Sequence, residues 1–355
     1  MDLNFSIFYI TSLENPKLHY KASKTLWETL KMKQYHDKKN LYFIEIATKT
    51  GIEFVFCDDS KSKWDNNNHS NYKLEREGSY IIFLGDMIPI NKQITSKKNI
   101  IFTDLDGTLL GDNKAIKDFN KYWLQNFYFD KNKLLAYNSG RCISEILPFF
   151  NNFLIPPDFI IASTGSEVYF YEKSSRNYKT DEAWDRRRNQ DWDPDYLKTA
   201  FSVFPFLKGC NFDGGRISFT SSTLEIQKNL DIIEETLVNI EREQKIKCKL
   251  VISGEGEHRY VDFLSQYTGK GVACEYICRR VNFPIENAVG FGDSMNDVEM
   301  LEMCGKAVMV RNSQMDLVDW FGKRLSQGQN VFFSEKCNAW ALLEEIKGFE
   351  LSKFF

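Results

Sequence analysis

Asp104 and Asp106 lie one residue apart in the segment DLDGTLL (104–110), directly after the apolar run Asn99–Thr103. In an extended chain the side chains at i and i+2 point the same way. The two carboxylates are therefore expected to face one site. Gly107 permits the sharp turn that follows. Thr108 adds a hydroxyl in a loop whose backbone N–H groups suit an anion. Two carboxylates held together need a cation or a shared proton to relieve them, and oxygen ligands of this kind suit a hard divalent ion. The chemistry that fits these parts is phosphoryl transfer to an aspartate, followed by hydrolysis. A solvated surface turn would look the same over so short a stretch, so the weight rests on three further segments.

The first is LLAYNSGR (134–141), where an apolar run ends at Asn138, Ser139 and Gly140. A Ser139 hydroxyl at the carboxyl end of a strand, beside a helix starting near Cys142, is placed to bond a phosphate oxygen. The second is TGKGVACEYI (268–277), which puts Lys270 at the start of a helix, where its charge can neutralise nucleophile and phosphate. The third is AVGFGDSMND (288–297), a short apolar strand ending at Asp293 with Asp297 four residues on. Asp293 is placed like a metal ligand, and Asn296 and Asp297 could complete or orient its shell.

The elements that must position these groups form two patterns. After a polar connector at 90–98, apolar strands alternate with amphipathic helices, as in a parallel α/β sheet. Expected core strands are Ile100–Thr103, Leu134–Tyr137, Phe159–Ala162, Val289–Phe291 and Val308–Val310, with the motifs at their carboxyl ends. Between Trp184 and Asp262 the order changes: helix over 196–203, strand over 216–220, long helix over 224–244, strand over 249–253. This reads as an inserted α/β cap, which would exclude water and select the leaving group. Before the connector the pattern is all-β, with short runs at Leu41–Ala47, Glu53–Cys57 and Tyr80–Leu84 and an ambiguous stretch over Ser23–Lys33. The expected organisation is an all-β sandwich over 1–92, a Rossmann-like core over 98–183 and 263–355, and a cap over 184–262.

The four segments together resemble the haloacid dehalogenase superfamily of phosphohydrolases, and within it the sucrose-phosphate phosphatase-like branch. The resemblance runs from about Lys98 to Phe349 and includes PPDFIIASTGSEVYF (156–170) and FFSEKCNAWALLEEIKGF (332–349). It implies Asp104 as nucleophile, Asp106 as general acid/base, and Thr108, Ser139 and Lys270 around the phosphate. It also implies Mg²⁺ at Asp104, Asp106, Asp293 and Asp297. One departure stands out. The branch tends to carry a lysine before a cap strand reading like KVSYY, whereas GGRISFTSS places Arg216 there. Its planar fork is expected to grip a sugar hydroxyl, or else to pair with a surface acid. Glu167 is a second candidate for sugar hydroxyls.

The front segment FVFCDD…WDNN…NY…G resembles starch-binding carbohydrate-binding modules. That likeness implies an aromatic platform of His19, Trp27 and Trp64 for an α-glucan, with Asn71 as a hydrogen-bonding partner. A core tryptophan and a plain Asx turn are the simpler reading of Trp64 and its loop.

Composition bounds the rest. The net charge is −3, with 43% hydrophobic and 27% charged residues, so no strong pull on nucleic acid or a membrane surface is expected. Eight cysteines are scattered without paired zinc spacing. They suggest reduced thiols in a reducing compartment, the cytoplasm, with a removed leader to a plastid or elsewhere still open. The leading expectation is an Mg²⁺-dependent sugar-phosphate phosphatase, sucrose 6-phosphate first, attached to a starch-like glucan. Another glycosyl phosphate or a phosphorylated glucan is the alternative substrate, and a non-catalytic glucan-binding scaffold is the alternative class.

Overall fold

Short runs of Ile, Val, Phe and Ala, apolar on both faces, build the central sheet of this computed structural model. The structure describes residues 2–22, 26–91, 97–213, 215–254, 256–326 and 330–351. Six strands pair in parallel in the spatial order Phe159–Ala162, Lys133–Asn138, Asn99–Thr103, Ala288–Gly292, Lys306–Met309, Val331–Phe333. In chain order this is 3-2-1-4-5-6, the doubly wound arrangement, whose ligand crevice lies at the carboxyl ends where the order reverses. That reversal falls between Asn99–Thr103 and Ala288–Gly292, the strands that precede Asp104 and Asp293. Two antiparallel strands, Glu167–Glu172 and Asn177–Thr180, extend the sheet at one edge.

Each sheet face is covered. Ile101, Leu135 and Ile160 pack under Ile116, Phe119 and Trp123 of the helix Asn113–Asn126 and Leu342 and Ile346 of the helix Ala339–Leu351. Ile100, Phe102 and Ile161 pack under Ala273 and Ile277 of the helix Lys270–Arg280. The Asp112 carboxylate caps Asn113–Asn126 by accepting from the N–H groups of Lys114 and Ala115.

The inserted unit is a four-stranded antiparallel sheet in the order Lys208–Asp213, Arg216–Ser222, His258–Ser265, Cys248–Ser253. One face carries the helices Pro194–Phe201 and Thr223–Gln244 over Ile217, Phe219, Val261 and Phe263. Its expected limits shift. Trp184 is fully buried in the core layer with Phe102 and Cys274, its indole N–H donating to the Ser166 carbonyl (3.1 Å). The strand His258–Ser265 runs on past Asp262.

The first ninety residues form a sandwich of two five-stranded sheets among the described residues. One contains Leu3–Ile10, Leu41–Thr48 and Gly78–Phe83; the other contains Lys17–Ala22, Glu28–Lys31 and Ile52–Cys57. Phe5, Ile7 and Ile46 from the first meet Leu18, Phe54 and Phe56 from the second. The ambiguous stretch is extended where described, as Glu28–Lys31 and Lys33–Gln34; residues 23–25 lie outside the described residues, as do residues 92–96 of the expected connector. The sandwich does not stand apart. Ile10, Leu41, Ile81, Phe83 and Ile88 join the apolar cluster of Phe119, Trp123 and Phe127. Lys38 pairs with Asp158 (2.5 Å) and Lys117 with Asp86 (3.0 Å) across the same seam.

Candidate active site

At the end of the strand Asn99–Thr103 the chain leaves the sheet at Asp104 and coils through a wide turn over Leu105–Leu109. Gly107 sits there at φ 79°, its Cα so close to the Asp293 carboxylate that any side chain would strike it. Asn312 and Asn338 each donate to the Gly107 carbonyl (2.7 and 2.8 Å), and Asn338 also donates to Leu110 (2.8 Å), which fixes the turn. Lys270, at the first turn of its helix, is buried and donates to Asp104 Oδ1 (2.7 Å), Asp297 Oδ1 (2.6 Å) and Asn296 Oδ1 (3.2 Å). Asp297 Oδ2 accepts from the N–H groups of Asp293 and Ser294 (3.1 Å each).

Oxygen atoms of Asp104, Asp293 and Asp297 lie within 4.8 Å of one another, and all three residues are buried. Burial, opposed by Lys270 and reinforced by Asp297 and Asp293, raises the Asp104 carboxyl well above the usual range. Burial and the Asp297 charge push Asp293 up to about 7. Burial would lower the Lys270 ammonium, but the two carboxylates more than offset it and the net direction is upward. The cluster holds more negative charge than one lysine neutralises. An all-oxygen donor set with this deficit fits a hard divalent cation.

The family model described as sucrose-6F-phosphate phosphohydrolase matches residues 97–350. The chain belongs to that family. A probable sucrose-phosphatase 1 of Arabidopsis thaliana is 27% identical over 273 residues, which cover 73% of this chain and 62% of that protein. The chain thus spans about six tenths of the length of the plant sucrose-phosphatases it matches. A mannosylfructose-phosphate phosphatase of Agrobacterium fabrum is 26% identical over 241 residues, 66% of this chain and 89% of that protein. The structure of the sucrose-phosphatase of Synechocystis sp. PCC6803, in complex with sucrose and phosphate, aligns at TM-score 0.60 and 25% identity, covering 72% of this chain and 98% of that one.

Within this site several sequence expectations are placed differently. Asp106 does not join the carboxylate cluster. Its side chain is 52% exposed, and its two oxygens accept from Nε and Nη2 of Arg141 (2.7 and 2.6 Å). The i, i+2 parity ends because the turn begins between the two aspartates. Arg141 went unread; its signal was a base directly after the Ser139–Gly140 turn. Thr108 is buried with its hydroxyl donating to Asp293 Oδ1 (2.7 Å), so it braces a carboxylate. Ser139 is buried at its strand end, and its Oγ accepts from the Arg141 N–H (3.1 Å).

Arg216 neither meets a surface acid nor stands open to solvent. Its side chain is 13% exposed, and Nη1 reaches the Gly140 carbonyl (2.8 Å), Thr164 Oγ1 (3.2 Å) and the buried Asp262 (3.4 Å). It ties the cap sheet to the Ser139–Gly140 turn. Lys249 adds a second tie to Glu299 (2.7 Å), and the strand Cys248–Ser253 lies against the turn Met295–Asp297. Glu167 opens the strand Glu167–Glu172, and its charge and hydrogen bond help raise the Tyr169 phenol behind burial.

In the sandwich, His19 and Trp27 stack at 4.8 Å with 12° between planes, and Trp64 stands edge-on to His19 at 5.6 Å. Trp27 is 37% exposed and Trp64 46%, so neither is a core tryptophan. His19 Nδ1 lies 2.8 Å from Thr29 Oγ1, which sets the ring. Asn71 donates to Glu53 (2.7 Å), which also pairs with Lys21 (3.1 Å) below the Trp27 ring.

Proposed function

We propose that this protein is an Mg²⁺-dependent sugar-phosphate phosphatase, with a sucrose 6-phosphate-like substrate, that is anchored to α-glucan. The observation that carries the reading is the buried Lys270 ammonium bridging Asp104 and Asp297, with Asp293 beside them, where the strand order reverses. Asp104 is the nucleophile. Lys270 holds its Oδ1, and the other oxygen attacks phosphorus as the bond from phosphorus to the sugar oxygen breaks. Asp106 gives the leaving oxygen its proton. It then takes a proton from the water that hydrolyses the aspartyl-phosphate, which frees Asp104 and inorganic phosphate. Both Asp106 oxygens accept from Arg141 in this state, so that pair opens for the proton transfers. Ser139 and Lys270 hold phosphate oxygens, while Thr108 acts through Asp293. Asp104, Asp293 and the backbone carbonyl of Asp106 would hold Mg²⁺, with Asp297 orienting the shell; the ion supplies charge neutralisation between carboxylate and phosphate.

The proposed units are a sandwich over 1–92, a core over 98–183 and 263–355, and a cap near 184–262, with the limits adjusted at Trp184 and Asp262 as above. Arg216 and Glu167 act in the cap and at the core rim on sugar selection. His19, Trp27 and Trp64 form the glucan platform, and Asn71 shapes its edge through Glu53. A reducing compartment, the cytoplasm, is the proposed setting. Another glycosyl phosphate is the second reading, favoured by the likeness to a mannosylfructose-phosphate phosphatase along 89% of that protein. A phosphate-release screen over a sugar-phosphate panel, with Mg²⁺ and after chelation, tests both. Sucrose 6-phosphate should lead, activity should vanish on chelation, and Asp104→Asn should remove nearly all turnover. No turnover of any sugar phosphate would leave the non-catalytic scaffold.

A further inference from the structure

The late segment FFSEKCNAWALLEEIKGF (332–349) supplies no group to the proposed mechanism, yet it reaches the nucleophile turn. Asn338 ends the loop after the last strand, Val331–Phe333, and directly precedes the helix Ala339–Leu351. Its backbone is left-handed, φ 48°, which asparagine tolerates better than most residues. That backbone is held on both sides. The Asn338 N–H donates to Asn312 Oδ1 (3.0 Å), and the Asn338 carbonyl accepts from the Ala341 N–H (2.9 Å). The side chain is thereby aimed at the turn. Nδ2 carries two hydrogens and spans the carbonyls of Gly107 and Leu110 (2.8 Å each). Gly111, at φ 131°, leaves room for it: a Cβ there would lie 2.7 Å from Nδ2.

Asn312 grips the same Gly107 carbonyl (2.7 Å) from the loop after the strand Lys306–Met309. In that loop the Gln314 N–H donates to the Asp293 carbonyl (2.8 Å). One chain of hydrogen bonds therefore runs from Asn338 through the nucleophile turn and Asn312 to the loop that holds Asp293. Asp106 depends on this support most. Asp106 and Gly107 are the central residues of a type II turn (φ −75°, ψ 123° and φ 79°, ψ −21°). The two amides hold the carbonyl at its exit, one residue beyond Asp106. Among the described residues Arg141 is the one hydrogen-bond partner of the Asp106 carboxylate. When that pair opens for proton transfer, the backbone of the turn alone places the freed carboxylate.

We propose that Asn338 is a positioning residue for phosphoryl transfer: its amide, with that of Asn312, holds the nucleophile turn so that Asp106 meets the leaving oxygen once Arg141 releases it. Resting on the phosphatase reading above, this role gives the C-terminal segment a part in catalysis. The effect falls on kcat. Ser139 and Lys270 hold the phosphate in the proposed mechanism, and neither is bonded to Asn338, so substrate binding is spared. A misplacement of about 1 Å costs up to about a hundredfold in rate even when its source lies far from the chemistry.

The test compares three variants of the full chain with wild type, on the sugar phosphate that wild type turns over best and well below every Tm. Asn338→Gly keeps the left-handed backbone and deletes the amide. Asn338→Asp keeps the shape and loses the donors. Trp340→Phe is the control: it removes an indole N–H that the same segment donates to Asp112 (3.0 Å), away from Gly107. In both Asn338 variants kcat should fall at least about tenfold with KM within about twofold of wild type. Amide hydrogen exchange across Leu105–Leu110, followed by mass spectrometry, should speed up in the same two variants. Trp340→Phe should leave kcat and this exchange as in wild type. A lower Tm with unchanged kcat in the Asn338 variants would overturn the proposal, since the amide would then be only a structural tie. An equal loss of kcat in Trp340→Phe would also overturn it, because packing of the whole segment would be the cause. Wild type that turns over no sugar phosphate would overturn the catalytic reading and this role with it; wild-type turnover with unchanged kcat in both Asn338 variants would overturn this role alone.

Discussion

Replacing Lys270 with methionine keeps the volume of the side chain and removes the one ammonium that bridges Asp104 and Asp297. Three buried carboxylates then share a space of 4.8 Å without a cation. Breaking a buried pair by deleting one partner costs about 3–5 kcal/mol, a fall in Tm of roughly 5–10 °C for a chain of this size. The cost must depend on pH, and the sign follows from proton counts. Asp293 titrates near 7 when folded against 3.8 when unfolded. Between those values the folded state binds more protons, so stability falls as pH rises through that window. Without Lys270 the carboxylates repel more strongly, so the Lys270→Met penalty should be small at pH 5 and largest at pH 8. Within the proposed function Mg²⁺ would neutralise the same oxygens and should stabilise the variant more than wild type. Thermal unfolding of both proteins at pH 5 and pH 8, in chelator and in Mg²⁺, reads all of this. An equal gap in Tm at both pH values, or equal stabilisation of both proteins by Mg²⁺, would refute the reasoning.

Trp27→Ala/Trp64→Ala should lower pull-down on starch granules while leaving hydrolysis of a soluble sugar phosphate almost unchanged; stacking is weak per contact and gains from avidity. Equal pull-down of variant and wild type would remove the platform assignment. Arg216→Lys keeps the charge but loses the guanidinium Nη1 that reaches Gly140 and Thr164. It should lower kcat/KM for sugar phosphates about tenfold, the worth of one charge-assisted hydrogen bond of about 1.5 kcal/mol, change their ranking, and spare a small generic phosphate ester. An unchanged ranking would confine Arg216 to a structural tie. Ile81→Ala, at a fully buried seam position, should cost about 2–5 kcal/mol and lower one shared unfolding transition. A separate phosphatase transition left at its wild-type temperature would show that the seam carries no coupling.

The strand ends were legible because each motif follows an apolar run, and a parallel sheet places such ends side by side. What failed was parity beyond the strand. The i, i+2 rule holds only while the chain stays extended, and the turn over Leu105–Leu109 sends Asp106 to Arg141. Long-range partners left no local trace: Asn312 and Asn338 hold the Gly107 carbonyl from loops more than 200 residues away in sequence. The seam did leave a trace. Strands of a two-layer sandwich should alternate apolar with polar, yet IFYI (7–10) and YIIFL (80–84) are apolar without a break. The structure explains the run. Ile7 and Ile82 face the sandwich interior, while Ile10, Ile81 and Phe83 face the phosphatase.

That double-sided sheet decides how a glucan could relate to catalysis. The sheet against the phosphatase contains Leu3–Ile10, Leu41–Thr48 and Gly78–Phe83; the platform residues belong to the other sheet and its loops. On Lys17–Ala22, Leu18 and Tyr20 point into the sandwich core, so His19 points outward. The aromatic platform therefore lies on the layer remote from the phosphatase, and the buried seam fixes it there. A glucan chain on His19, Trp27 and Trp64 is directed away from Asp104 of the same molecule. Within the proposed function this favours glucan as an anchor and a soluble sugar phosphate as the substrate. It sets a further expectation: soluble starch should raise neither kcat nor KM for a small sugar phosphate, and phosphorylated glucan should be turned over no faster by wild type than by Trp27→Ala/Trp64→Ala. Faster release of phosphate from glucan by wild type would mean that the platform feeds a catalytic centre, either of a neighbouring molecule or through an opening of the seam.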